Sequence, residues 1–253
     1  MDLGLSGKKA LITGSTRGIG RAIANLLADE GVDLAICSRN QAEVDTAVAE
    51  LSAKGVKVTG AVVDVADKAS YQAWVASAAD ELGGLDIFVP NVSAGGGDMS
   101  DEGWINGINI DVLGTTRGIE AAMPYLEKSS AGSVVIISST AGVETFMGPQ
   151  PYNALKGALV IHGKQLSQAL APQGIRVNCV SPGPVYIEGG AWEYIKENMA
   201  DLYNDTVAQI PQGRMGSAEE IANTVAFLAS PAASLITGVN LVADGGFTKR
   251  VQL

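Results

Sequence analysis

Short apolar runs alternate with longer amphipathic stretches along most of the chain. Runs at 9–13, 32–38, 56–63, 85–89, 133–139, 176–181 and 235–243 are Val- and Ile-rich and read as strands or extended segments. Stretches at 21–30, 41–54, 68–82, 101–128, 152–171 and 218–229 carry apolar residues at helical spacing. The 101–128 stretch is interrupted by Gly103, Gly107, Gly114 and Gly118 but keeps its helical period. Strand and helix in strict alternation imply parallel strands joined by right-handed crossovers. The strands lack a polar face, which suits burial on both sides. The pattern predicts one α/β domain over 1–253, a single doubly wound parallel sheet with helices on both faces. No linker, repeat or low-complexity tract divides it.

Composition narrows what such a domain can do. The 253 residues are 47% apolar and only 5% aromatic, with 31 glycines. The core must therefore pack through small and branched aliphatic side chains. A formal net charge of −10 leaves no cation excess for nucleic acid or an anionic membrane surface. No run reaches the ~18 apolar residues of a bilayer span. No basic segment followed by an apolar stretch opens the chain, so a cytoplasmic location is expected. Cys37 and Cys179 each close an apolar run and read as buried free thiols. One histidine and no Cys/His spacing predict no metal site.

In a doubly wound sheet, ligands bind beyond the carboxyl ends of the strands, where the strand order reverses. The first strand runs into Thr13-Gly14-Ser15-Thr16-Arg17-Gly18-Ile19-Gly20, with a helix directly behind. Glycines let the backbone approach a pyrophosphate, and the helix start presents unpaired N–H groups to it. The second strand ends in Ser38-Arg39-Asn40. No carboxylate stands there to receive a ribose 2′-hydroxyl, whereas Ser38, Arg39 and Arg17 suit a 2′-phosphate. That edge favours NADP over NAD.

Tyr152 and Lys156 lie one helical turn apart on one face. A unit charge about 4 Å away, at an effective dielectric of about 20, is worth roughly 4 kcal/mol. That is enough to tune a phenol to exchange a proton near neutral pH. Ser139 closes the fifth strand and is placed to hydrogen-bond a carbonyl. Alone, each of these residues has an ordinary structural reading. His162, six residues past Lys156, falls roughly 240° around the helix and reads as a packing or subunit-contact residue.

Taken together, Thr13–Gly20, Ser139, Tyr152 and Lys156, with thirteen positions from serine to tyrosine, resemble the short-chain dehydrogenase/reductase family. Pro182-Gly183 and Asp244-Gly245-Gly246 extend the resemblance over essentially the whole chain. It implies Tyr152 as general acid/base, Lys156 as the residue that favours its phenolate and binds the nicotinamide ribose, and Ser139 as the group that orients the carbonyl. It further implies cofactor contacts at Gly14, Ser15, Arg17, Gly18, Ile19, Gly20, Ser38, Arg39, Asn40, Asp64, Val65, Asn91, Gly183 and Val185. A homodimer or homotetramer is implied as well.

Three departures stand out. The fourth-strand motif reads Pro90-Asn91-Val92-Ser93 where the family has Asn-Asn-Ala-Gly, so a displaced loop is expected. Asp111 occupies the place of the family's fourth catalytic residue, an asparagine; an ionised carboxylate accepts hydrogen bonds but cannot donate them. Ile187 stands where a threonine often contacts the carboxamide. A lid over 186–212 carries Trp192, Tyr194, Met199, Leu202 and Tyr203, which suggests an apolar substrate or simply a lid docked on the body. Glu193, Glu197, Asp201 and Asp205 make it acidic, which disfavours an acidic carrier protein as partner. The leading expectation is NADP-dependent interconversion of a secondary alcohol and a ketone. The alternatives are 3-oxoacyl reduction on a carrier protein or coenzyme A, and a non-catalytic nucleotide-binding scaffold.

Overall fold

A computed structural model describes residues 2–251; residues 1, 252 and 253 of the expected domain lie outside the described residues. Seven parallel strands form one sheet in the order β3-β2-β1-β4-β5-β6-β7. They are β1 (Lys9–Thr13), β2 (Asp33–Ser38), β3 (Val58–Val62), β4 (Ile87–Val89), β5 (Ser133–Ile137), β6 (Arg176–Pro182) and β7 (Asn240–Ala243). The order reverses between β1 and β4, which opens a crevice at their carboxyl ends.

The uniformly apolar strands feed two cores. Ala10 and Ile12 of β1, Leu34 and Ile36 of β2, and Val135 and Ile137 of β5 face one side. They pack against α1 (Gly18–Asp29), α2 (Gln41–Ser52) and α9 (Ala218–Ala229) through residues such as Ile23, Leu27, Leu51, Val225 and Leu228. Leu11, Ala35, Cys37, Val134 and Ile136 face the other side, against α3 (Lys68–Leu82), α5 (Leu113–Leu126) and α6 (Pro151–Leu170). The period of two survives, hidden because both faces are apolar.

Three boundaries differ from expectation for physical reasons. The 101–128 stretch is not one α-helix: α4 (Asp101–Gly107) passes through a π-turn at Ile108–Val112 before α5 begins. A Cβ at Gly107 would lie 2.5 Å from a Leu155 methyl, so α4 presses closely on α6 there. Ser139 lies beyond β5, where its hydroxyl caps a 3₁₀ turn at Thr140–Gly142. The 235–243 run is sheet only over Asn240–Ala243. Within the lid stretch two helices form, α7 (Ala191–Asn198) and α8 (Ala200–Gln209). Among the described residues, no helix is long and apolar enough to cross a membrane.

Candidate active site

The glycine loop after β1 is held by internal contacts. Gly14 adopts φ +64°, and a Cβ on Gly20 would lie 2.2 Å from the Gly14 carbonyl oxygen. Asn91, just past β4, donates through Nδ2 to the carbonyls of Thr13 (3.0 Å) and Gly14 (3.1 Å). Its own N–H reaches Thr13 Oγ1 at 3.0 Å. Asn91 thus braces the loop across the crevice as well as lining it. Ser15 is buried: its Oγ donates to Ile12 O and its N–H to Cys37 O, tying β1 to β2. Both of its donors are engaged within the protein.

A cavity of about 660 Å³ runs along this crevice. Gly14, Arg17, Gly18, Ser38, Arg39, Asn40, Asp64, Val65 and Asn91 line it, as the sequence suggested. Ile19, Gly20, Gly183 and Val185 lie outside its lining; Gly183 donates its N–H to Ala243 O and Val185 is buried beside Gly216. Among the lining residues that sequence reasoning missed are Glu43 and Ala94. Glu43 lines the edge near Arg39 and accepts from Thr16 Oγ1 at 2.7 Å. Ala94 and the 187–191 segment close the far end. Only Glu43, in the first turn of α2, carried a usable signal. Among the described residues, Arg17 and Arg39 form no salt bridge and are exposed at one end of the cavity. The glycine cradle and the start of α1 fit the phosphates of a nicotinamide dinucleotide.

The remaining candidates gather between β5 and α6. A Cβ on Gly142 would lie 2.6 Å from the Gly157 nitrogen, so the turn after Ser139 sits directly on α6. Ser138 Oγ donates to Lys156 O at 2.8 Å, and Lys156 Nζ donates back to Ile137 O at 3.1 Å. Lys156 Nζ lies 5.6 Å from the centroid of the Tyr152 ring. Ser139 Oγ accepts from Ala141 N–H at 3.1 Å, which leaves the hydroxyl proton free to point at a ligand.

Asp111 sits in the π-turn, a conformation concentrated at functional sites. Its Oδ1 is 3.0 Å from Lys156 Nζ, with both side chains 3% exposed. The contact is a close, buried ion pair. Oδ2 accepts from Ala94 N–H at 2.9 Å. One carboxylate therefore joins Lys156 to the loop that follows Pro90-Asn91-Val92-Ser93. Burial lowers the His162 pKa, which favours the neutral ring. It raises Cys37 and Cys179 to about 12, so both thiols stay protonated.

Residues 14–248 match the family model described as enoyl-(acyl carrier protein) reductase. The isoepoxydon dehydrogenase patN of Penicillium expansum is 38% identical over 250 residues, covering 97% of this chain and 96% of that protein. The chain belongs to the short-chain dehydrogenase/reductase family. Solved members of this family superpose over nearly the full length. L-sorbose reductase from Gluconobacter frateurii, complexed with NADPH and L-sorbose, matches with a TM-score of 0.91 at 32% identity, covering 99% of this chain and 100% of that one. An NAD+-bound xylitol dehydrogenase matches with a TM-score of 0.89 at 28% identity, covering 96% and 99%. Short-chain dehydrogenase/reductase relatives of this chain thus include binders of either nicotinamide cofactor.

Proposed function

We propose that the protein is an NADP-dependent oxidoreductase that interconverts a secondary alcohol and a ketone, with Tyr152 as general acid/base. The observation that carries this reading is the Tyr152–Lys156 pair, whose ammonium is fixed 5.6 Å from the ring centroid by Asp111 and the Ile137 carbonyl. The dehydrogenases and reductases among the relatives support the reaction class.

Gly14, Gly18 and the start of α1 would hold the pyrophosphate, and Ser38, Arg39 and Arg17 the 2′-phosphate. Asp64 and Val65 would flank the adenine. When bound, the nicotinamide supplies or takes up the hydride. In the reducing direction Ser139 donates to the carbonyl oxygen and Tyr152 transfers its proton there as the carbon is reduced. The phenolate left behind faces the Lys156 ammonium, which stabilises it. Asp111 holds that ammonium in place.

An acyl carrier protein has little to bind here. The only cation of the 186–212 lid, Lys196, lies over the rings of Tyr186 and Tyr203 at 5.2 and 5.6 Å. Burial and Glu193, whose carboxylate accepts from the hydroxyl at 3.1 Å, push the Tyr186 pKa up. A cytoplasmic location and a homodimer or homotetramer belong to the same proposal. The buried free thiols support the first, and exposed Ile105 and Ile161 support the second.

The test is NADPH oxidation against ketones and 3-oxoacyl thioesters, with Tyr152→Phe and Arg39→Asp alongside. Tyr152→Phe should abolish turnover while cofactor binding persists, and Arg39→Asp should shift preference toward NADH by about tenfold or more. Turnover by Tyr152→Phe at the wild-type rate would remove Tyr152 from the chemistry. Unchanged cofactor preference in Arg39→Asp would remove the 2′-phosphate assignment.

A further inference from the structure

The chain is only 5% aromatic, with four phenylalanines and three tryptophans. Two of those phenylalanines and one tryptophan converge from three separate segments. Phe146, in the loop leading to Tyr152, lies 6.3 Å from Trp192 of α7, centroid to centroid, and 5.3 Å edge-on from Phe247 beyond β7. All three rings are half-buried, so each keeps accessible surface. Such rings, one of them on the loop that leads into Tyr152, make a ligand surface as readily as a packing contact.

Polar contacts hold this cluster in place from both sides. Asn153, the neighbour of Tyr152, donates through Nδ2 to the carbonyls of Phe146 (2.8 Å) and Gly148 (3.1 Å). Between them Met147 has φ +54°, the one left-handed non-glycine residue among the described residues. Strain of that kind persists only where the surroundings over-determine it. On the other side Glu144 Oε2 accepts from the N–H groups of Lys249 (3.0 Å) and Arg250 (3.2 Å). The segment carrying Phe247 is thereby fastened to the loop carrying Phe146.

We propose that Phe146, Trp192 and Phe247 form an aromatic wall that selects a ring-bearing apolar carbonyl compound, and that Glu144 positions this wall by latching the segment after β7. The proposal rests on the alcohol–ketone reading above and names its substrate class. Flat or chair-shaped rings present a broad face to aromatic surfaces, which a flexible chain matches only by losing conformational freedom.

The test compares cyclohexanone with hexan-2-one, and the matching alcohols, on the full chain. Cyclohexanol and hexan-2-ol are titrated calorimetrically onto the enzyme–NADPH complex, which cannot turn an alcohol over. Wild type should favour the ring about tenfold in both kcat/KM and affinity. Phe247→Leu and Glu144→Ala should each weaken ring binding roughly three- to tenfold, with hexan-2-ol affinity and NADPH affinity within about twofold. Glu144→Gln, which keeps an acceptor oxygen, should restore most of the preference. Equal affinity for ring and chain in wild type overturns the proposal, as does a preference untouched by Phe247→Leu and Glu144→Ala. Ring-selective binding without turnover of any ketone would leave the wall standing and count against the parent reading alone.

Discussion

Asp111 carries a charge into a place where few charges survive. With both side chains 3% exposed, the Asp111–Lys156 pair has left water almost entirely. Each ion is tolerable only because the other is there. Removing one partner of such a pair typically costs about 3–5 kcal/mol, whereas replacing both with apolar groups can be nearly neutral. Asp111→Ala should therefore lower the unfolding free energy by roughly 3–5 kcal/mol in urea titrations. Asp111→Ala combined with Lys156→Met should lose less than Asp111→Ala alone. A loss below ~1 kcal/mol for Asp111→Ala would mean the pair is solvated in solution. Asp111→Asn isolates the second contact, because an amide oxygen can still accept from Ala94 N–H while the ion pair disappears.

At the scale of elements, α9 shows how a terminus is fixed. Ser217 and Glu220 form a reciprocal capping box, and Arg214 grips both oxygens of Glu220 at 2.8 and 2.6 Å. The Arg214 side chain, then the Ser217 N–H, pulls the Glu220 carboxyl from 4.5 down to about 2. A depressed carboxyl stabilises the fold above its unfolded pKa and loses that contribution as pH falls toward its folded one. Glu220→Gln should lower Tm at pH 7, and the gap should close between about pH 4.5 and about 2. A gap of equal size at both ends would show that the charge is irrelevant there. The span 218–229 was legible in the sequence through its apolar period. The π-turn was not. It arises where α4 presses on Leu155, a contact some fifty residues away that no local window contains. Nor were the contacts of Ser15, whose hydroxyl is taken up by Ile12 and the neighbouring strand. Arg17, Arg39, Tyr152 and Lys156 were legible because strand ends and helix turns fix their placement.

Across the whole molecule, the crevice between β1 and β4 lies where the two halves of the sheet meet, so ligand binding and global stability are coupled. A ligand at about one hundred times its Kd adds about 2.7 kcal/mol to the folded state. For a chain of this size that corresponds to a rise in Tm of roughly 5–10 °C. NADPH should produce this shift and NADH at equal concentration a smaller one, measured by differential scanning calorimetry. Equal shifts would contradict the role given to Arg17 and Arg39. The Asn91 brace has a further bearing on how the chain comes into being. Thr13 and Gly14 leave the ribosome early, yet the amide that holds their carbonyls belongs to a residue 77 and 78 positions later. The nucleotide loop therefore waits, unbraced, through the synthesis of three strands and three helices. A nascent chain that ends before Asn91 has no finished cradle to offer. The cofactor can act as a folding partner only once Asn91 has been made, over roughly the last two-thirds of synthesis.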